Sequence, residues 1–422
     1  MSKAKDFMAT KEFEEILLTL YPENEIERQK SRYSELAERF ESTFGSDDVT
    51  FFSAPGRTEV GGNHTDHNHG RVLAASVNLD ALAAVRATDN SIIREQSTGH
   101  GANEVDISTL DVVESETGHS SALIRGVCAG FVERGYKVGG FDACVTSDVL
   151  SGSGLSSSAA YEVLIGTILN HLYNDGKISA VEIAQIAQFS ENKFFGKPCG
   201  LMDQTASSVG GFVTIDFNDP SKPIIEKLTF DFASCSHALC IVNTGGSHND
   251  LTADYAAVRS EMEAVAAVFG KSVLRDVDEN EFFANIDKAR KATSERAVVR
   301  AIHFFGDNER VLHEVKALKD GDFESFKKHV TESGFSSFMY NQNVYTTSAP
   351  TAQPVAMGLS VSDKMLKGKG AWRVHGGGFA GTIQAFVPIC ELENYRSAMD
   401  AIFGEGSCMV LKIRPVGGIK VK

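Results

Sequence analysis

The chain contains no run of 18 apolar residues, and its opening segment, MSKAKDFMATKEFEEILLTL, is too charged for a signal peptide. A membrane span is therefore excluded as an expectation, and a cytoplasmic protein is expected. Cysteine is scarce. The seven present are an odd number with no CxxC pair, which argues against a disulfide framework and for free thiols in a reducing compartment. Cys199 reads as a packed thiol and not as a nucleophile, since no histidine partners it nearby in sequence. Positive charge is also short, with 41 Lys and Arg against 56 Asp and Glu and a net charge of −15. That balance excludes a general nucleic-acid surface. An anionic ligand must be attracted locally, by loop amides, a metal ion and a few bases. Internal repeats and low-complexity tracts are absent.

What is present is ordinary for a soluble globular protein, with 42% hydrophobic and 23% charged residues. A length of 422 residues exceeds what one hydrophobic core usually organises, so two domains are expected. Residues 11–20 and 24–44 read as amphipathic helices that pack as an N-terminal extension. β-rich runs follow (VTFFSA, RVLAASVNLDALAAVRA, SIIREQS, FDACVTS), then helical patterns over 157–173 and 179–195. In the first of these, Ala160, Val163, Leu164, Ile168 and Leu172 recur at helical spacing and form its buried stripe. GFVTIDF closes this half, and the turn-rich FNDPSKP at 217–223 is the expected hinge. Domains of 1–218 and 219–422 follow. Strands are expected at 224–230 and 237–243, mostly helices up to 367, then strand, helix near 392–403 and strand. This is an α+β order, not the strict alternation of a doubly wound fold.

Three glycine-rich segments carry the chemistry. LSGSGLSSSAA at 150–160 is a small-residue loop that runs into a helix. Its backbone N–H groups can close around an anion, and the helix N-terminus adds partial positive charge. It is neither GxxxxGK[ST] nor GxGxxG, and alone it reads as readily as a flexible N-cap. The others are APGRTEVGGNHTDHNHG at 54–70 and WRVHGGGFAG at 372–381. A zinc site in the histidine-rich loop is not expected, because all its ligand candidates fall within one loop.

Together these segments resemble the three motifs of the GHMP small-molecule kinases. Within that superfamily the segment at 54–70 is similar to the galactokinase signature GRVNLIGEHTDYNxG, which Arg57, Gly62, His64, Thr65, Asp66, Asn68 and Gly70 match. GKPCGLMDQ at 196–204 is similar to the galactokinase segment that carries the catalytic aspartate. The resemblance runs from about residue 51 to the final strand. It implies an N-terminal mixed α/β domain, a C-terminal ferredoxin-like α+β domain and an active site in the cleft between them. It implies ATP-dependent phosphorylation of a sugar's anomeric hydroxyl, with galactose as the leading substrate, and a monomer without nucleic-acid or membrane partners.

For the site, the resemblance implies ATP phosphates held by Gly152, Ser153, Gly154, Leu155, Ser156, Ser157 and Ser158. Mg²⁺ falls to Ser158, or Ser157 in its place, and to Glu191, twelve residues before Asp203. Asp203 is the expected base and Arg57 its partner. The sugar would be held by Arg57, Asn63, His64, Asp66, Gly200, Asp203 and Tyr255. Asn63 stands where galactokinases carry the glutamate expected to meet the 6-hydroxyl. An amide can still accept that bond, and it removes repulsion against a carboxylate at carbon six. Galacturonate or an N-acetylated hexosamine therefore stands beside galactose, and a non-catalytic sugar and ATP sensor is the reading from a different class.

Overall fold

The apolar run that begins near residue 50 becomes the centre of the molecule. The computed structural model describes residues 3–99, 101–149, 154–246 and 251–422. Seven strands of the first sheet are β1 (Thr50–Gly61), β2 (Arg71–Ala87), β3 (Ile92–Ser97), β4 (Ala102–Asp106), β5 (Phe141–Ser147), β6 (Phe212–Asp216) and β7 (Ile224–Leu228). A second sheet holds β8 (His237–Asn243), β9 (Ala371–His375), β10 (Thr382–Pro388) and β11 (Cys408–Leu411) in the order β11-β8-β10-β9. The chain then returns, and β12 (Ile419–Lys420) pairs with β1 of the first sheet.

β1 and β2 are buried along nearly their whole length, as strands covered on both faces must be. Their alternation sorts two layers of helix. Phe51, Leu82 and Ala84 face the N-terminal helices Lys11–Leu20 and Ile26–Phe44 and pack with Phe13, Leu17, Tyr33, Leu36 and Phe40. Phe52, Ala83 and Val85 point the other way, into a core shared with helices Ser120–Glu133, Ser157–Tyr173 and Ala180–Ser190. Local chemistry sets the helix ends. Thr10 caps the helix Lys11–Leu20 by accepting from the Phe13 amide at 3.2 Å, and Ser179 with Glu182 forms a capping box. The expected helix over 179–195 ends as a π-helical turn, Glu191–Phe195, a feature that side-chain periodicity does not reveal.

The expected hinge is instead the turn of a hairpin. Residues 217–223 join β6 to β7, which pair antiparallel in the first sheet with Ile224 opposite Asp216. Turn residues specify a reversal but not whether the next segment stays in the same layer, so the boundary at 218 cuts through this hairpin. Residues beyond 219 thus help to complete the first sheet, through β7, through β12 and through a bridge from Ile413 to Val77.

Asp80 on β2 joins three remote parts of the chain. It accepts from Tyr21 Oη (2.6 Å), Arg32 Nη1 (2.6 Å), Arg414 Nη1 (3.2 Å) and Ser53 Oγ, and it is fully buried. Burial pushes its carboxyl up, yet Arg32 and Arg414 hold it below the ordinary carboxylate value. Its stabilisation is therefore present above a pH of about 3.9 and fades as pH falls through the lower folded value. Asp80→Ala strands two guanidinium groups that have little solvent to replace their counter-ion. We expect a loss of about 3–5 kcal/mol, read as a lower urea midpoint at unchanged m. An unaltered midpoint would show that Asp80 does not hold these segments together.

Candidate active site

Four segments distant in sequence meet where β1 passes beneath the start of helix Ser157–Tyr173. Gly56 permits the crossing, since a Cβ there would sit 2.9 Å from the Leu155 carbonyl oxygen. One residue on, Arg57 donates through Nε (2.8 Å) and Nη2 (2.7 Å) to the two oxygens of Asp203, on helix Met202–Val209. Its Nη1 donates to the Gly154 carbonyl, tying the pair to the glycine loop. Ser156 donates its hydroxyl to Asp203 from a left-handed backbone at φ +59°. That conformation costs a serine about 1–2 kcal/mol, and it aims the hydroxyl at the carboxylate.

Burial pushes the Asp203 carboxyl up, but Arg57 and the Ser156 hydroxyl outweigh it and hold the group below the ordinary carboxylate range. Asp203 is thus ionised at neutral pH, with 32% of its side chain open to the cleft. A carboxylate so placed can accept a proton from a hydroxyl brought to its open side.

Beside it, Ser158 donates to Glu191 at 3.0 Å, although 33 residues separate them. Glu191 is buried, receives Gln204 Nε2 at 2.8 Å and lies 3.4 Å from Lys197 Nζ. Gln204 Nε2 also reaches Glu162, at 3.2 Å. A hydroxyl and a carboxylate are hard oxygen donors of the kind magnesium takes alongside phosphate oxygens and water. Of the loop expected to hold phosphates, Gly154, Leu155, Ser156, Ser157 and Ser158 are described, while Gly152 and Ser153 lie outside the described residues. Leu155 is buried in the core, so any contact it makes to phosphate comes from its backbone.

On the far side of Asp203, Gly200 packs on Asp66, for a Cβ on Gly200 would stand 3.0 Å from Asp66 Oδ2. Tyr255 lies across Gly377 and donates to the Gly378 carbonyl at 3.0 Å. His64, also left-handed at φ +58°, is tied into a directed chain. The Leu274 amide donates to Asn68 Oδ1, which turns the Asn68 amide nitrogen toward His67 Nδ1 at 3.0 Å. His67 Nε2 must then carry the proton it offers to His64 Nδ1 (3.4 Å), and His64 Nε2 donates to the Gly377 carbonyl at 2.9 Å. Both ring nitrogens of His64 are engaged within the protein, so its side chain fixes the loop at 376–378.

Asn63 departs from its expected place. It is fully buried, and every polar atom is occupied. Nδ2 donates to Glu59 Oε1 (2.9 Å) and the Gly376 carbonyl (2.8 Å), while Oδ1 accepts from Ser337 (3.1 Å) and Asn343 (2.8 Å). Its backbone N–H donates to Asp307 and its carbonyl accepts from His303. Asn63 is therefore not a sugar contact, and the substitution for glutamate gives no reason to prefer a 6-carboxylate sugar. Motif position alone cannot reveal that residues 337–343 close over this side chain.

Reasoning from sequence also missed Arg373, His375 and Gln384, which line the inner face of the second sheet. Arg373 donates to Glu59 at 2.6 Å, His375 meets Thr58 at 3.0 Å, and Gln384 donates to Thr58 (2.6 Å) and to the Glu59 carbonyl (3.0 Å). The signal was a polar residue at every second place in WRVH and TIQ, at positions otherwise expected to be core.

The galactokinase galactose-binding signature matches residues 38–87, and the N-terminal domain of GHMP kinases matches residues 122–211. The chain is 31% identical over 373 residues to a galactokinase of Streptomyces coelicolor, covering 87% of this chain and 92% of that one. It is 33% identical over 366 residues to a galactokinase of Glaesserella parasuis, covering 85% and 90%. Lactococcus lactis galactokinase, solved with galactose, shares the fold at a TM-score of 0.76 and 24% identity, over 92% of this chain and 99% of that one. The mevalonate kinase of Methanococcus jannaschii does so at 0.62 and 13% identity, over 87% and 98%.

Asn63→Glu provides a test of the burial. It would replace two donated hydrogen bonds by a carboxylate facing Glu59 and the Gly376 carbonyl. We expect a loss of about 3–5 kcal/mol in stability, seen as a lower thermal midpoint with or without sugar. A stable variant with improved galactose turnover would return Asn63 to the sugar pocket.

Proposed function

The chain belongs to the galactokinase family, and from that premise we propose that it transfers the γ-phosphoryl group of ATP to the anomeric hydroxyl of galactose, giving α-D-galactose 1-phosphate. The observation that carries this reading is the ionised, arginine-clamped Asp203, set between the serine loop and the sugar signature. Phosphoryl transfer asks for held phosphates, neutralised charge and an acceptor oxygen in line. Asp203 accepts the proton of the anomeric hydroxyl as the new bond forms. Arg57 keeps Asp203 ionised and offsets charge on the moving group.

Amides and hydroxyls of the loop at 152–158 cradle the phosphates, assisted by the helix N-terminus. Ser158 and Glu191 would hold Mg²⁺, which when bound offsets charge on the phosphate oxygens. Asp66, Gly200 and Tyr255 wall the sugar, and His64 sets the loop beneath it. A sensor without turnover is disfavoured, because an ionised carboxylate clamped by an arginine stands beside a hydroxyl–carboxylate pair suited to magnesium. No helix among the described residues is long and apolar enough to cross a membrane. The seven cysteines, all free, suit the reducing cytoplasm proposed for this enzyme.

ADP release across a panel of free sugars tests the reading. Turnover should be highest with galactose, and a panel without turnover would end it. Asp203→Asn should lower kcat on the order of 10²–10⁴-fold while sugar affinity stays within about tenfold, because shape and hydrogen bonding survive and only the base is lost. Full turnover in that variant would remove Asp203 from the chemistry. Glu191→Gln should raise the Mg·ATP requirement and leave sugar binding by calorimetry intact. Lost sugar binding with normal nucleotide use would place Glu191 in another role.

A further inference from the structure

Glu59 stands two residues beyond Arg57 on β1, and the pairing with β2 runs without interruption from Arg57 to Glu59. Both side chains therefore leave the strand on the same side. The Glu59 carboxylate accepts from Asn63, the neighbour of His64 in the sugar signature, at 2.9 Å, and it lies near enough to Arg57 and Asp66 to feel their charge.

The two oxygens of Glu59 are not equivalent. Oε1 accepts from Arg373 Nη2 at 2.6 Å and from Asn63 Nδ2 at 2.9 Å. Oε2 accepts from no group among the described residues. A carboxylate has about four acceptor positions, and leaving one oxygen unpaired in a dry site is costly. The side chain is 8% exposed, and with Oε1 engaged by Arg373 and Asn63 it is Oε2 that is left for an incoming donor. Arg373 is fully buried and Asn63 is saturated, so together they prevent Glu59 from turning. The result is a carboxylate held firmly by one oxygen and presenting the other.

We infer that Glu59 is a specificity-determining residue whose Oε2 accepts a hydrogen bond from a hydroxyl of the bound sugar, with Asn63 and Arg373 as its positioning residues. This rests on the sugar-kinase reading above. It also gives the exchange at the signature a physical sense. A carboxylate is lost at Asn63, and one hydrogen-bonded to that same amide is supplied from Glu59. Burial pushes the Glu59 carboxyl up to about 7 against the pull of Arg373, Asn63 and Arg57, so the acceptor is charged above that pH. A sugar hydroxyl is a donor that suits such a carboxylate, and deleting the bond costs about 10–100-fold in kcat/KM.

The test is a grid of kcat/KM values for the sugar preferred in the panel and its 2-, 3-, 4- and 6-deoxy analogues, on the unaltered enzyme and on Glu59→Gln. One deoxy analogue should lose about 10–100-fold on the unaltered enzyme and distinctly less on Glu59→Gln, with the other penalties unchanged. A merely structural Glu59 would slow all sugars alike and leave every deoxy penalty as it was, which overturns the inference. Glu59→Asp serves as the second variant. It keeps a charge opposite Arg373 but withdraws the free oxygen by one methylene, and should show the same selective convergence. If neither variant folds, a crystal structure of the unaltered enzyme with the sugar decides. A sugar oxygen within about 3.2 Å of Glu59 Oε2 supports the contact, and none within hydrogen-bond reach overturns it. Turnover of galactose without the selective coupling sinks this inference alone, whereas a panel without turnover sinks the reading beneath it.

Discussion

The buried ion pair between Glu59 and Arg373 is the contact on which the rest of the arrangement depends. It joins β1, the strand that carries the catalytic arginine, to the inner face of the second sheet. Arg373 is fully buried and has no access to water as a substitute partner. Breaking such a pair exposes the desolvation cost of the remaining charge, so it favours the arrangement of the two sheets in which both charges stay paired. Thr58 with His375 and Gln384 extends the same polar seam by one residue. Directional groups of this kind add less stability than an apolar contact of equal area would. What they supply is orientation, and a cleft between two layers needs orientation above all.

The site uses that fixed frame to hold backbone in unfavourable conformations. His64, Ser156 and Phe379 are three of the seven non-glycine residues with positive φ among the described residues, and each touches a residue of the site: Gly377, Asp203 and the Tyr255 ring in turn. Each is held from outside. His64 is bonded to the Gly377 carbonyl, the Ser156 hydroxyl to Asp203, and the Phe379 amide to the Asn343 carbonyl. The carboxylates around them differ in role because their surroundings differ. Burial acts first on both Asp203 and Glu162, but a bidentate arginine pulls the first down, while the neighbouring Glu191 pushes the second further up. One is an ionised acceptor open to the cleft. The other lies closed in the core, with one oxygen, Oε1, unpaired among the described residues.

Much of this was legible in the chain. The stripe from Ala160 to Leu172 lies within a helix that runs over Ser157–Tyr173, as its spacing requires. The segment at 237–243 is a strand with those same bounds. Local patterns suffice there because burial on one side of a helix, or in a fully covered strand, is written in successive residues. The pairing of Arg57 with Asp203 was legible only through the resemblance, since 146 residues separate them and neither has a local signature.

By itself the sequence determined the elements, their order, the free thiols and the residue types assembled around a phosphate loop and a sugar signature. Tertiary structure alone decided which layer each element joined and which polar side chains met the cleft. β7 and β12 fall in the first sheet because long-range strand pairing depends on partners that no local window contains. Asn63 is a buried tie and not a sugar contact because residues 337–343, nearly three hundred positions away, close over it with three hydrogen bonds. Burial is a property of what packs above a residue, and the chain reveals that only when it is folded.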